Sequence, residues 1–160
     1  MHRFFEDFPT GWTYESAPRT LETAEIVAFA REWDPQRYHV DEAAARATPF
    51  GGLIASGWQT GCLAMRLMCD GYLADSSCIA SPGFDELRWL KPVRPGDSLR
   101  FRAQVLEARA STTKPDRGIV VDARASSTCA RKRSESPGRT GFSQRSSSNP
   151  GEAMHDESAR

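Results

Sequence analysis

The sequence predicts an α+β fold in which helices precede a set of strands, one helix being largely apolar. Three observations carry this prediction. An apolar stripe with helical spacing runs over residues 26–33. The segment Gly57–Asp70 is apolar nearly all round, as in a helix that the rest of a fold encloses. Apolar and polar residues then alternate from Leu99 to Val105, the pattern of a half-buried strand.

The composition of the chain excludes several classes of protein. Its 160 residues fit one domain. Lys plus Arg and Asp plus Glu number 21 each, so no net field points to nucleic acid or an anionic membrane. No stretch approaches the roughly 18 apolar residues of a membrane span. The four cysteines lack C-x-x-C spacing and a histidine pair, so neither a metal site nor a disulfide framework is expected. A cytoplasmic location is predicted.

The first helix is predicted to end at Asp34. Thr20 and Thr23 are both candidate caps for its start. Pro35 disfavours helical geometry at the residue before it. Asp34 is therefore expected at the C-terminal end of this helix, where its side chain has a fixed position without being buried. A short helix over about 41–47 follows.

Three strands are predicted, at Phe84–Leu90, around Leu99–Val105, and from Arg117 to Val121. After residue 121 the large apolar side chains are reduced to Phe142 and Met154. Residues 1–121 are therefore predicted to form the folded domain and residues 122–160 a disordered polar tail. A reading frame lost near Val121 is a hypothesis that explains the Ser- and Arg-rich composition.

Asp34 and His39 could form an acid–base pair, because histidine transfers protons near neutral pH and a carboxylate can orient it. Asp-x-x-x-x-His alone is more often a solvated loop. Gly57 precedes the apolar helix, where a free N–H can stabilise an oxyanion; a glycine that merely lets the loop turn is the commoner case. Ser56 lacks the G-x-S-x-G pattern of a nucleophile elbow.

A local basic cluster comprises Arg88, Lys91 and Arg94 in "LRWLKPVRPGD". Its side chains could bind phosphates. Taken alone, the cluster is more often the solvated face of a strand and turn.

In order and spacing, these segments resemble the MaoC-like dehydratases, which include the R-specific enoyl-CoA hydratases. The resemblance covers about residues 3–121, through "FFEDFPTGWTYES", "TAEIVAFAREWDPQRYHVDEAAA", "PFGGLIASGW" and "ELRWLKPVRPGDSLRFRAQVLEAR". It implies a hot-dog fold, in which a curved antiparallel sheet wraps around a long central helix. In this sequence the final strand or strands of that sheet are predicted to be missing or replaced. It also implies a homodimer that acts on acyl-CoA without metal or cofactor.

The resemblance also implies roles for individual residues. Asp34 and His39 would bind and activate water, and the N–H of Gly57 would polarise the thioester carbonyl. One member of the pair would take a proton from water while the other delivers one to the alpha carbon. Arg88, Lys91 and Arg94 would contact the phosphates of coenzyme A. Two alternatives stay open: a non-catalytic acyl-thioester-binding or dimerisation protein, and a hot-dog thioesterase.

The sequence departs from the family pattern at several positions. Where hydratases commonly have D-x-N-P-x-H, Gln36 replaces the asparagine and Pro35 stands one residue early, with Arg37 in the place of proline. Ser56 replaces a histidine before Gly57, and Met65 lies near the place of a helical serine.

Overall fold

The computed structural model describes residues 2–81, 83–123 and 144–145. Four α-helices precede most of the strands: α1 (Thr23–Trp33), α2 (Arg37–Val40), α3 (Glu42–Arg46) and α4 (Gly57–Met68). A π-helical turn over Cys69–Leu73 extends α4. The strands are β1 (Thr13–Glu15), β2 (Arg19–Thr20), β3 (Glu86–Leu87), β4 (Ser98–Leu99), β5 (Arg102–Ala110), β6 (Gly118–Ala123) and β7 (Gln144–Arg145).

The strands form two antiparallel sheets. The larger has five strands in the order β1-β5-β6-β7-β3, and the smaller pairs β2 with β4. In the larger sheet Tyr14 lies opposite Ala103, and Ala108 lies opposite Val120. A register shift between Val105 and Glu107 marks a bulge, which bends a strand locally. The predicted α+β class is confirmed.

Helix α1 ends where the sequence predicts, with Asp34 as its C-terminal cap. Its start differs from the prediction. Neither threonine caps it, because Glu22 occupies the cap position and its N–H donates to the Glu25 carboxylate at 3.0 Å. The predicted stripe is only partly buried: Ile26 is fully buried, whereas Trp33 at the helix end is 68% exposed. Burying a side chain such as Ile26 stabilises the fold by about 1.5–3 kcal/mol.

Two short helices follow α1. Helix α3 matches the predicted helix over 41–47, and its cap is the Asp41 carboxylate, which accepts from the N–H of Ala44 at 3.0 Å. Helix α2 was not predicted. A four-residue helix is too short to show periodicity, and here it carries His39 into the interior.

The buried side chains form two clusters. One joins α1, α3, β4, the loop before α4 and the segment between β3 and β4, through Leu21, Ile26, Ala45, Leu53, Ala55, Val93 and Leu99. The other packs α4 and the π-helical turn on β5 and the residue before it, through Ala64, Met68, Tyr72, Phe101 and Ala103. The predicted alternation from Leu99 to Val105 is confirmed, since all four apolar positions of that face are buried.

Helix α4 is not enclosed as predicted. One side is buried through Gln59, Thr60, Ala64 and Met68. The opposite side exposes a stripe formed by Trp58, Cys62 and Met65, with exposures of 62% for Trp58 and 41% for Met65. A helix that is apolar on all sides is predicted to be fully buried. In the described part of the chain, other elements pack against only one side of α4.

Two strand predictions also need correction. The segment Phe84–Leu90 forms only the two-residue β3, and Trp89 lies beyond it, 43% exposed. The strand around Leu99–Val105 is divided between β4 and β5, which pair with different sheets. Both differences arise from pairing partners that local alternation does not identify.

The larger sheet draws on sequence beyond residue 121. Strand β6 runs through Ala123, two residues past the predicted boundary, and β7 pairs with both β3 and β6. The predictions for residues 124–143 and 146–160, including the reading-frame hypothesis, concern residues outside the described part. Among the described residues, no helix has both the length and the apolar character needed to cross a membrane.

Candidate active site

Asp34 lies where α1 ends, and its carboxylate accepts hydrogen bonds on both oxygens. Its N–H donates to the carbonyl of Ala30 at 2.9 Å, which anchors the backbone to the last helical turn. The Ser56 hydroxyl donates to Oδ2 at 2.7 Å, and the Gln36 amide donates to Oδ1 at 2.8 Å. The side chain stays 19% exposed, so it remains within reach of solvent or a ligand.

His39 faces the same carboxylate from α2. Its Nε2 lies 3.3 Å from Oδ2 of Asp34, and its side chain is only 5% exposed. On the other side of the ring, Nδ1 lies 2.8 Å from the carbonyl oxygen of Ile54. A carbonyl can only accept, so Nδ1 carries the proton of this hydrogen bond. The remaining nitrogen, Nε2, is therefore the one directed at Asp34.

The surroundings of Asp34 favour its ionised form. Partial burial by itself raises the pKa of the Asp34 carboxyl. The Ser56 hydroxyl, the Gln36 amide and the imidazole of His39 together outweigh burial and lower that pKa below its ordinary value. Asp34 is accordingly a carboxylate at neutral pH.

The start of α4 lies beside this pair. Ser56 is the N-terminal cap of α4, and its oxygen accepts from the N–H of Trp58 at 3.2 Å. Since Ser56 also bonds to Asp34, the residue after it, Gly57, is brought next to the carboxylate. The first N–H groups of an α-helix lack partners within the helix and carry the positive end of its dipole. The structure thus places Gly57, Asp34 and His39 together.

The loop before α4 is held by backbone contacts on two sides. The N–H of Ile54 donates to the carbonyl of Tyr38 at 3.2 Å, and the N–H of Ala55 donates to the carbonyl of Val93 at 2.8 Å. With the bond from His39 to the Ile54 carbonyl, these contacts fix α2 relative to the start of α4. The distance between the imidazole and the helix N-terminus is therefore set by these three hydrogen bonds.

The three basic residues of the predicted cluster have different surroundings. Arg88 is exposed and forms an ion pair with Glu86. Lys91 is exposed. Arg94 donates to the carbonyl of Phe50 at 2.5 Å and lines a cavity of about 280 Å³. The other residues that line this cavity are Thr23, Glu42, Leu53 and Pro95. Their role toward phosphates stays a prediction.

Ser56, Gln36 and Tyr38 also contact the pair, although local sequence patterns indicate no such role for them. The hydroxyl of Ser56 donates a hydrogen bond to Asp34, a role that the nucleophile-elbow pattern does not address. The hydroxyl of Tyr38 donates to the amide oxygen of Gln36, whose amide nitrogen bonds to Asp34. The available signal was the set of departures from the hydratase pattern, since Gln36 and Ser56 occupy two of those positions.

A family model described as "MaoC like domain" matches residues 7–126. Among curated proteins, the uncharacterized protein YdeM of Bacillus subtilis is 32% identical over 102 residues, which cover 64% of this chain and 72% of that protein. A mesaconyl-CoA hydratase of Cereibacter sphaeroides is 33% identical over 107 residues, 65% of this chain. The chain spans only about a third of the length of some curated relatives. It covers 30% of the length of that hydratase and 34% of the length of the protein MaoC of Klebsiella aerogenes.

Solved structures show the same fold. The MaoC-like dehydratase of Rhodospirillum rubrum is 40% identical with a TM-score of 0.72, over 92% of this chain and 99% of that one. The R-hydratase PhaJ1 of Pseudomonas aeruginosa is 21% identical with a TM-score of 0.61, over 98% of this chain and 91% of that one. The predicted hot-dog fold and the predicted family resemblance are confirmed.

Proposed function

This chain belongs to the MaoC-like family, and from that premise we propose that it adds water to a trans-2-enoyl thioester of coenzyme A, or removes water in the reverse direction. The observation that carries the proposal is the pairing of Nε2 of His39 with Oδ2 of Asp34, 3.3 Å apart, beside the start of α4. A basic nitrogen, a carboxylate and a helix N-terminus are the groups that hydration of a conjugated thioester requires.

The geometry supports a division of labour within the pair. Nδ1 of His39 is committed to the carbonyl of Ile54, so Nε2 is the atom free to exchange a proton. Asp34 is ionised and has no proton to give. It orients the water and balances the positive charge that forms on the imidazole. Both proton transfers are therefore assigned to His39, in place of the shared roles that the resemblance implies.

In the hydration direction, the reaction begins with attack of water on the beta carbon. Water loses a proton to Nε2 of His39 while its oxygen bonds to the beta carbon. The alpha–beta π bond breaks, and its electrons move onto the thioester oxygen, where the N–H of Gly57 donates to the developing charge. The enolate then takes the proton from Nε2 at its alpha carbon, which restores neutral His39 and the carbonyl. Removing a preorganised oxyanion donor typically costs about 2.7–4 kcal/mol.

We also propose that the working form is a homodimer. The exposed stripe of Trp58, Cys62 and Met65 adjoins Trp89, whose ring lies edge-on to that of Trp58 with centroids 6.3 Å apart. A continuous apolar surface of this kind beside the site is typical of a protein–protein interface. A second copy covering it would shield the thioester from water.

Purified protein with crotonyl-CoA tests the activity. We expect the enoyl absorbance to fall with the parent protein and to persist with Asp34→Asn at unchanged circular dichroism. Asp116→Asn is the matched control, since Asp116 is an exposed carboxylate paired with Arg117 in a distant turn. Equal rates in the parent and Asp34→Asn would remove Asp34 from the mechanism.

A thiol reagent in the same assay separates the alternatives. Release of free coenzyme A would indicate a thioesterase, because hydration releases no thiol. Binding of crotonyl-CoA without turnover would indicate an acyl-thioester-binding protein.

A further inference from the structure

The carboxylate of Asp34 is held from two directions by side chains that the catalytic proposal does not use. We propose that Ser56 and Gln36 are positioning residues, which together fix the Asp34 carboxylate in its orientation toward His39. This inference rests on the hydratase function proposed above. Neither residue contacts the reacting atoms in that mechanism, so both act through Asp34.

Ser56 is the more constrained of the two. It is fully buried, and its hydroxyl proton is directed to Oδ2 of Asp34 at 2.7 Å. Its oxygen also accepts from the N–H of Trp58 at 3.2 Å, so the hydroxyl both donates and accepts. One side chain therefore ties the carboxylate of α1 to the first turn of α4. Any displacement of that turn, which carries the proposed oxyanion donor, moves Asp34 with it.

Gln36 holds the other oxygen. Its amide nitrogen donates to Oδ1 of Asp34 at 2.8 Å, and its amide oxygen accepts from the hydroxyl of Tyr38. The ionised carboxylate of Asp34 only accepts, so the amide nitrogen of Gln36 must face it, and the amide oxygen is left to accept from the hydroxyl of Tyr38. Tyr38 itself packs edge-on against His39, with ring centroids 4.5 Å apart. A chain of contacts thus runs from the imidazole back to the carboxylate.

The hydrogen bonds from Ser56 and Gln36 reach different oxygens of the Asp34 carboxylate. A carboxylate can rotate about its last torsion, and one donor on each oxygen prevents that rotation. Among the described residues, the groups that face the Asp34 carboxylate are Ser56 from the start of α4, Gln36 from the loop after α1, and His39 from α2. Two of these are neutral donors, so they orient the carboxylate without neutralising its charge.

The test compares Ser56→Ala, Ser56→Thr and Gln36→Met with the parent. The carboxyl carbon of Asp34 is followed by NMR across pH in ¹³C-labelled protein, with Asp34→Asn to assign the signal. Loss of either donor should raise the pKa of Asp34, because both hydrogen bonds lower it. Ser56→Thr keeps a hydroxyl and should restore the parent value. Gln36→Met leaves the cap of α4 in place, which separates positioning from helix stability.

Kinetics on the same variants give the second readout. Misplacement of a catalytic group by about 1 Å can cost about 100-fold in rate, so kcat should fall by up to that factor in Ser56→Ala and Gln36→Met, with KM little changed.

An unchanged Asp34 titration in Ser56→Ala and Gln36→Met would overturn the inference, whatever the rates. So would a raised pKa of Asp34 with an unchanged kcat. The titration needs no substrate, so a parent protein without hydratase activity would refute the proposed function while the titration still decides whether Ser56 and Gln36 hold Asp34.

Discussion

The indole ring of Trp89 lies directly against the backbone of Gly57, at the first turn of α4. A methyl group placed on Gly57 would lie 2.5 Å from Cε2 of that ring, closer than real Cβ contacts allow. Trp89 therefore forms one wall of the space at the helix N-terminus, where the thioester carbonyl is proposed to bind. The absence of a side chain at Gly57 is needed for this close approach.

Gly57→Ala should consequently lower kcat/KM by about 100-fold, because either the ring or the start of α4 must shift. Hydration of crotonyl-CoA by the variant measures the loss. Gly52→Ala is the matched control, since a Cβ there would meet only the flexible end of Arg94 at 3.4 Å. The double variant Gly57→Ala with Trp89→Ala should recover part of the rate. No recovery would show that the ring is not the obstacle.

The lowered pKa of Asp34 predicts how stability depends on pH. The unfolded chain protonates this carboxyl near its ordinary value, about 3.9, whereas the folded chain keeps it ionised to lower pH. Its contribution to stability is therefore fully present above the unfolded pKa and is lost as pH falls through the folded pKa. Urea denaturation of the parent and of Asp34→Asn at several pH values measures this.

The difference in unfolding free energy between these two proteins should shrink as pH falls below about 4. Ser56→Ala should show a smaller acid-dependent loss than the parent, because the pKa of Asp34 then lies nearer its unfolded value. A difference that stays constant with pH would contradict the prediction.

The exposed stripe on α4 predicts the effect of a charge within it. In Met65→Glu the proposed dimer would bury an unpaired carboxylate, which costs several kcal/mol. The dimer dissociation constant should rise by at least about 100-fold. Sedimentation of the parent and the variant measures this. Ile79→Glu is the control, since Ile79 is 73% exposed and lies outside α4. A parent that sediments as a monomer would refute the dimer.

Much of the candidate site could be predicted from local sequence. Pro35 ends α1, and this places Asp34 at a helix exit. The spacing from Asp34 to His39 and the glycine before an apolar helix are weak signals taken alone, and the resemblance to the MaoC-like dehydratases supplied the predicted roles of His39 and Gly57. Their contact depends on packing, since the Asp34–His39 approach requires the unpredicted α2 and the hydrogen bond from His39 to Ile54.

The sequence alone determined the α+β class and the end of α1 at Asp34. It also determined the start of the apolar helix α4 at Gly57 and the buried face from Leu99 to Val105. Each of these features depends on residues that are close together in the chain. Tertiary structure decided the rest. The Ser56 hydroxyl contacts Asp34, which lies 22 positions earlier in the chain, and the ring of Trp89 packs against Gly57, which is also distant in sequence. Such contacts arise only when separate elements pack together, and they determine which polar groups lie against Asp34 and Gly57.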